Sequence, residues 1–437
     1  MKKNNAYVII GNSASGLAAI ESVRRIDKTS NIINISKEPH RPYSRCLLSY
    51  YLAGQYNKDI LWIRHEDYYK KYNVEGLLNT TVAGVDVKNR ALAIAGNKKI
   101  SFDKLLIATG ASAKSVDIKG ADKRGVFVLR TLEDAQGILN MLPSVKKACI
   151  LGGGLIGMRA AYALKKRGIN VHVIVKSSHI FSQMLDAEAA DMMRQHLETN
   201  GIEISTGLEA KEILGKDSVE HLVLDDGNRL DCELIVIGKG VAANLEIVRG
   251  QVKTNMGILA NEHLETDNKD IYAAGDVAET YDILEGSNNV NQIWPAAIRQ
   301  GKIAGLNMAG EEAKYEGTYG TNSLDFFDLA VMSFGVVKPK NDVDFEELIE
   351  IDTTRRLYRK IILRSNRIVG GVLINDVERH GILLHLALHK IDISDIKYIL
   401  ADEYFDFGKV VPLIKRQAKS FARPEYNDTC ATYSPLY

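Results

Sequence analysis

Ala148-Cys149-Ile150-Leu151-Gly152-Gly153-Gly154-Leu155-Ile156-Gly157 is the stretch that decides the fold. Its four leading apolar residues read as a strand buried on both faces of a parallel sheet. Gly152, Gly154 and Gly157 follow with the G-x-G-x-x-G spacing. A turn of this kind lets the backbone approach a pyrophosphate, while the next helix supplies N–H donors and the positive end of its dipole. A helix is expected over residues 158–167 and a second strand over 171–175. The same grammar occurs nearer the N-terminus: strand 7–10, then Gly11-Asn12-Ser13-Ala14-Ser15-Gly16, helix 17–26 and strand 32–35. Ser13 stands where the middle glycine would be, placing a small hydroxyl beside the phosphates. Two such units, about 140 residues apart, mean two dinucleotide-binding modules: a repeat of architecture and not of sequence.

The bulk properties agree with a globular protein. The chain has 437 residues, enough for two to four domains at about 150 residues each. Lys and Arg number 56 against 55 Asp and Glu, a net charge of +1. That balance argues against a general nucleic-acid binder or a polybasic membrane-surface protein. The four cysteines, Cys46, Cys149, Cys232 and Cys430, form no CxxC pair. A disulfide framework, a zinc ribbon, an endogenous iron–sulfur cluster and any other metal site are therefore not expected. Cys149 and Cys232 lie in apolar runs and read as core residues, and Cys430 has no partner. The apolar run 6–10 is too short for a secretion signal, and no stretch reaches the length of a spanning helix. A cytoplasmic protein is expected.

From about residue 325 the character changes. Strands are expected over 326–335, 357–363 and 368–374, with a hairpin at Ser365-Asn366-Arg367 and helices over 381–390 and 411–416. The last dozen residues read as a surface tail. The acidic run 342–352 and the basic group Arg355, Arg356, Arg359, Lys360, Arg364 and Arg367 are expected on opposite solvated faces. A sharper reading makes the basic face a dock for an acidic electron carrier.

Two further motifs carry the class: Leu105-Leu106-Ile107-Ala108-Thr109-Gly110, and Thr266 followed by Ile271-Tyr272-Ala273-Ala274-Gly275-Asp276. Over residues 6–335 the chain resembles the two-dinucleotide flavoprotein reductases, the pyridine nucleotide-disulfide oxidoreductase superfamily. The stretch Glu38-Pro39-His40-Arg41-Pro42-Tyr43-Ser44-Arg45-Cys46-Leu47-Leu48-Ser49 is most similar to one branch: rubredoxin reductases, NAD(P)H-binding subunits of nitrite reductases and flavoproteins associated with carbon monoxide dehydrogenase. The resemblance implies an α/β fold with Rossmann-like FAD and NAD(P) domains and a C-terminal α+β interface domain. The expected division is 1–118 with 245–320 for FAD, 119–244 for NAD(P), and 321–437 for the interface domain with its tail.

The resemblance also implies site roles. Around FAD it places Gly11, Ser13, Gly16, Ala108, Thr109, Gly110 and Gly275, with Asp276 on the ribityl and phosphate region. Trp294 begins a helix over 294–305 whose N-terminus points at the flavin. Glu38 would meet the adenosine ribose, or be a solvated loop residue. Arg45 would lie beside the pyrophosphate or isoalloxazine, where positive charge favours reduced anionic flavin. Val82 and Arg130 match positions that touch FAD. Tyr50 stands where oxygenase-type ferredoxin reductases carry a lysine.

Cys46 falls where NADH oxidases, NADH peroxidases and coenzyme A–disulfide reductases carry a redox-active cysteine. Its flanks belong to the branch that needs none, so a redox thiol and plain packing at the flavin edge both stand. At the nicotinamide module, Gly152, Gly154, Gly157 and Gly240 are expected to hold NAD(P). Met158-Arg159 replace the acid frequent in relatives. Lys176-Ser177-Ser178 replace the acid that would bind a ribose diol, which favours NADPH through Lys176.

The expected activity is hydride exchange between NAD(P)H and FAD, with single electrons passed to or from a small iron–sulfur protein of ferredoxin or rubredoxin type. Alternatives are a cysteine-dependent oxidase, peroxidase or coenzyme A–disulfide reductase using Cys46, and a flavin-bound interaction subunit of a larger redox complex. A homodimer is compatible with either.

Overall fold

The computed structural model describes residues 6–96, 98–339, 344–400, 402 and 405–417. Cys430, the C-terminal tail and the start of the acidic run lie outside these. The chain divides into two compact units: Met1–Phe181 with Leu197–Thr318, and Ser182–His196 with Tyr319–Tyr437.

The first unit is built on two parallel sheets. In one the strand order is Ile271–Ala273, Lys104–Ile107, Ala6–Ile10, Asn31–Ile35, Val74–Leu77. In the other it is Val126–Phe127, Leu234–Ile237, Lys147–Leu151, Asn170–Val175, Ile202–Thr206. The two orders are the same, with each glycine-bearing strand central. The outer strand differs in origin: it arrives last in the chain in the first sheet and first in the second. Central strands are apolar throughout because both faces are covered. In the first sheet one face packs on helix residues such as Leu17, Ile20 and Ala304, and the other on Val82, Val85 and Leu92 of a small antiparallel sheet. Val8, Ile9, Ile150 and Leu151 are at most 1% exposed. Helices Ala14–Ile26 and Leu155–Lys166 each begin three residues earlier than the apolar pattern indicates, each starting inside its glycine turn.

Among the described residues four smaller sheets accompany these in the unit, two of which concern the site. Val82–Asp86, Ala91–Ile94 and Lys98–Ser101 form an antiparallel sheet, and Ala111–Ala113 pairs antiparallel with Val241–Ala243.

The second unit holds one antiparallel sheet, ordered Thr321–Phe326, Leu329–Gly335, Arg367–Ile374, Leu357–Arg364, Glu346–Asp352. The expected hairpin is present: Ser365 and Asn366 adopt φ of 50° and 56°, and Arg364 pairs with Arg367. Helices His380–Leu388 and Phe407–Arg416 follow.

Two expectations are corrected in this unit. Residues 326–335 are not one strand. Phe327 and Asp328 turn the chain at φ of 49° and 68°, so Phe326 pairs with Leu329 in a hairpin. A phenylalanine in the left-handed region carries no turn signal, which is why the apolar run reads as continuous. Nor do the acidic and basic stretches form opposite solvated faces. They are neighbouring antiparallel strands, with Glu350 opposite Arg359. Arg359 is fully buried and ion-paired to both Glu350 and Asp376. Lys360, 7% exposed in its side chain, meets Asp186 at 3.1 Å and Glu347 at 2.9 Å. Cross-strand pairing satisfies these charges internally, and burial is possible only because they are paired.

Among the described residues no helix is long and apolar enough to cross a membrane.

Candidate functional site

The two glycine turns are built alike. Gly11 has φ +128°, and its N–H donates to the Ile35 carbonyl at 2.9 Å. Gly152 has φ +122°, and its N–H donates to Ile174 at 2.9 Å. A Cβ on Gly11 would lie 2.1 Å from the Ala108 oxygen; one on Gly152 would lie 2.5 Å from the Gly238 oxygen. Gly16 and Gly157 let their helices close onto these turns: a Cβ would come within 2.1 Å of the Gly11 oxygen and 2.0 Å of the Gly152 oxygen. Gly154 differs, being the helix N-cap with no atom within 4 Å of a Cβ position. Ser13 caps the first helix through its backbone alone, leaving its hydroxyl off that helix. These turns fit dinucleotides: the backbone is drawn tight behind each helix N-terminus, and open space is left in front of Gly154.

At the C-terminal ends of the first sheet, Ala108-Thr109-Gly110 and Ala274-Gly275-Asp276 come together. The Ala274 N–H donates to Ile107 at 3.1 Å, continuing the strand pairing. Asn244 holds the first turn: its side-chain NH2 donates to the Thr109 carbonyl at 2.8 Å, and Thr109 Oγ1 donates to the Asn244 carbonyl at 3.1 Å. The Gly275 N–H donates to the Gln300 side-chain oxygen at 2.7 Å. Gln300, buried in the helix Trp294–Met308, is a site-forming residue the sequence reading missed. Gly301 and Gly305 lie beside it, and a Cβ on either would strike the carbonyls of Ser15 or Ala19. The pair of small residues four apart was a usable signal for this close helix crossing.

A chain of charged groups crosses the front of the first sheet. Glu38 accepts from the Tyr43 hydroxyl at 2.5 Å and pairs with Arg45. Arg45 donates to the Arg130 carbonyl at 2.9 Å. Arg130 in turn donates to Asp276 at 2.6 Å and, through Nε, to Ala111 at 3.0 Å. Two carboxylates and two guanidiniums thus balance. The sequence reading placed Glu38 at the adenosine ribose or in solvent and Arg45 beside the pyrophosphate or isoalloxazine; the structure joins them directly. Tyr43, whose hydroxyl also accepts from the Leu132 N–H at 3.1 Å, is the missed link.

Cys46 lies on the short turn Arg45–Leu47 and is exposed as a residue. Protein packed around the sulfur, followed by the Asp276 carboxylate, nevertheless pushes its thiol up, against a smaller opposing pull from Arg130. Cys149 and Cys232 are buried together in the second sheet's core. Val82 is core, 8% exposed, packed among Val8, Ile10 and Val85. Trp294 opens its helix, half-buried.

At the second turn Met158 is fully buried, whereas the Arg159 guanidinium lies 4.9 Å from the Tyr50 ring centre. Arg167 donates to the Leu52 carbonyl at 2.9 Å, fastening this helix to Leu48–Ala53 just past Cys46. Gly240, at φ +87°, accepts from the Lys114 N–H at 3.0 Å. Lys176 is engaged by Glu209.

Comparison with known proteins agrees with this architecture. Residues 5–301 match the pyridine nucleotide-disulphide oxidoreductase family, and 321–390 match the rubredoxin NAD+ reductase C-terminal domain. An NADH oxidase of Methanocaldococcus jannaschii is 35% identical over 70% of this chain and 71% of its own. A nitrite reductase [NAD(P)H] of Bacillus subtilis is 32% identical over 90% of this chain, which spans only 48% of that protein. A ferredoxin reductase structure from Rhodopseudomonas palustris superimposes with a TM-score of 0.79 at 26% identity, covering 86% of this chain and 93% of its own.

Proposed function

Because the chain belongs to the pyridine nucleotide-disulphide oxidoreductase family, we propose that it is an FAD-dependent NAD(P)H oxidoreductase exchanging electrons with a small iron–sulfur carrier protein. The observation that carries this reading is the pair of like-built turns, Gly11–Gly16 and Gly152–Gly157, on parallel sheets of one strand order. The first turn would hold FAD and the second the nicotinamide dinucleotide, with domains divided as 1–118 with 245–320, 119–244 and 321–437.

When bound, FAD supplies hydride exchange with nicotinamide and stepwise release of single electrons. The chain's own residues bind and orient. Gly11, Ser13 and Gly16 would receive the FAD pyrophosphate, with Ala108, Thr109, Gly110 and Val82 bounding the dinucleotide and Glu38 at the adenosine ribose. Gly275 and Asp276 would meet the ribityl chain, Asp276 by accepting its hydroxyl protons while Arg130 fixes the carboxylate. Arg45 supplies positive charge, and Trp294 starts the helix aimed at the ring. Gly152, Gly154, Gly157, Lys176 and Gly240 would frame NAD(P)H. The match to a rubredoxin reductase C-terminal domain and the likeness to a ferredoxin reductase support the carrier class. The match to half of a nitrite reductase supports a place in a larger assembly, and four cysteines with no CxxC spacing in the sequence fit a cytoplasmic setting.

Anaerobic addition of NADH or NADPH to the flavin-loaded protein tests the core of this proposal. The flavin absorbance should bleach and recover on adding ferredoxin or rubredoxin; failure to bleach with either nucleotide overturns it.

A second reading is favoured by the exposed Cys46 together with the NADH oxidase relative: turnover of oxygen, peroxide or a disulfide through that thiol. Cys46→Ser would abolish such turnover while sparing carrier reduction.

A further inference from the structure

Glu209 lies between two lysines, accepting from Lys176 Nζ at 2.8 Å and from Lys239 Nζ at 2.7 Å. The three residues come from separate parts of the chain. Lys176 directly follows the strand Asn170–Val175, and Lys239 follows Leu234–Ile237. Glu209 lies between Ile202–Thr206 and Ala210–Leu214. Backbone contacts fix its place. The Leu208 N–H donates to the Val175 carbonyl and the Gly207 N–H to Ser177, both at 3.2 Å. Glu209's own N–H donates to Asp225 at 3.0 Å. Lys239 is next to Gly238, where a Cβ would sit 2.7 Å from the Gly157 Cα. The carboxylate is therefore tied to the end of the second strand, beside the second glycine turn.

In a dinucleotide-binding βαβ unit that place, roughly 20 residues past the first glycine, belongs to an acid that binds the adenosine ribose hydroxyls. Here the chain itself offers Lys176 there, and folding brings the acid from the next crossover. We infer that Glu209 is the ribose-diol acceptor of the nicotinamide module and sets a preference for NADH over NADPH. The inference rests on the proposed assignment of the Gly152–Gly157 turn, and it reverses the preference drawn from Lys176 alone.

The chemistry follows from charge and hydrogen bonding. A ribose diol donates O–H groups to a carboxylate, whereas a 2′-phosphate would bring about −1.5 to −2 charges against it. Lys176 and Lys239 hold Glu209 ionised, at about 2, well below the ordinary carboxylate range. Lys176, paired in this way, has part of its charge already offset by Glu209 when a phosphate approaches.

The test is anaerobic equilibrium titration of the flavin-loaded protein, its flavin first reduced with dithionite so that no net hydride transfer follows, with NADH and with NADPH, read by nicotinamide fluorescence. The original protein should bind NADH more tightly. Glu209→Gln keeps the size of the side chain and removes the charge; it should lower the NADH-to-NADPH affinity ratio about tenfold, the worth of one charged hydrogen bond. Lys176→Ala should keep the NADH preference. If both nucleotides bind and Glu209→Gln leaves the ratio unchanged, the inference fails while the module's assignment stands. If Lys176→Ala selectively destroys tight NADPH binding, the inference also fails. If neither nucleotide binds, both readings fall.

Discussion

Arg130 and Asp276, 146 positions apart in the chain, meet at 2.6 Å in front of the first sheet with both side chains about one-fifth exposed. The Arg130 side chain is itself fixed through Nε by the Ala111 carbonyl, and Arg45 holds its backbone carbonyl, so the carboxylate is held in one direction. Loss of the guanidinium should free Asp276 to rotate. Arg130→Met is therefore expected to weaken FAD retention by about 10-fold or more, the scale of a charge-assisted hydrogen bond. The flavin-to-protein absorbance ratio after gel filtration measures this. An unchanged ratio would show that Arg130 orients nothing the flavin uses.

The glycines of the second turn should separate by role. Gly157→Ala places a methyl 2.0 Å from the Gly152 oxygen and should lower stability by about 1–3 kcal/mol, with a clear fall in Tm. Gly154→Ala meets nothing within 4 Å and should leave Tm unchanged while weakening NADH binding, because the methyl enters the space before the helix N-terminus. Equal melting curves for the two variants would contradict this account.

Cys46 should ionise only at higher pH than an ordinary cysteine, since surrounding protein and Asp276 both disfavour the thiolate. Alkylation by iodoacetamide should consequently be slow near neutrality and accelerate as pH rises. Asp276→Asn removes the repelling charge and should shift that acceleration to lower pH. A rate profile that does not move would mean that the carboxylate has no hold on the thiol.

In the second unit, Arg359 is the group most exposed to the cost of unpairing. Replacing Asp376 by Ala leaves the guanidinium buried with one partner fewer. A loss of about 3–5 kcal/mol is expected, read from chemical denaturation. The double change Arg359→Met with Asp376→Ala should recover part of it, and a double variant no better than the single one would rule out the buried charge as the cause.

Much of the first unit was legible because its rules are local. Gly11 and Gly152 need positive φ, and Gly16 and Gly157 admit no side chain against the turn behind them; each requirement is met by residue type within six positions. The apolar central strands declared their burial in the same way. The second unit was harder. Phe327-Asp328 turns without glycine, and the charged strand Leu357–Arg364 looks solvated until Glu350 is seen opposite Arg359.

The glycine spacing determined the two dinucleotide turns, because backbone geometry near a glycine depends on immediate neighbours, and the Ala-Thr-Gly and Ala-Gly-Asp motifs carried the resemblance that implied the class. Only the tertiary structure decided which charges meet. Arg130 finds Asp276, Arg45 finds Glu38, and Glu209 reaches Lys176 from the following crossover. Such pairs depend on where parallel strands end in space, a property of the whole sheet and not of spacing along the chain.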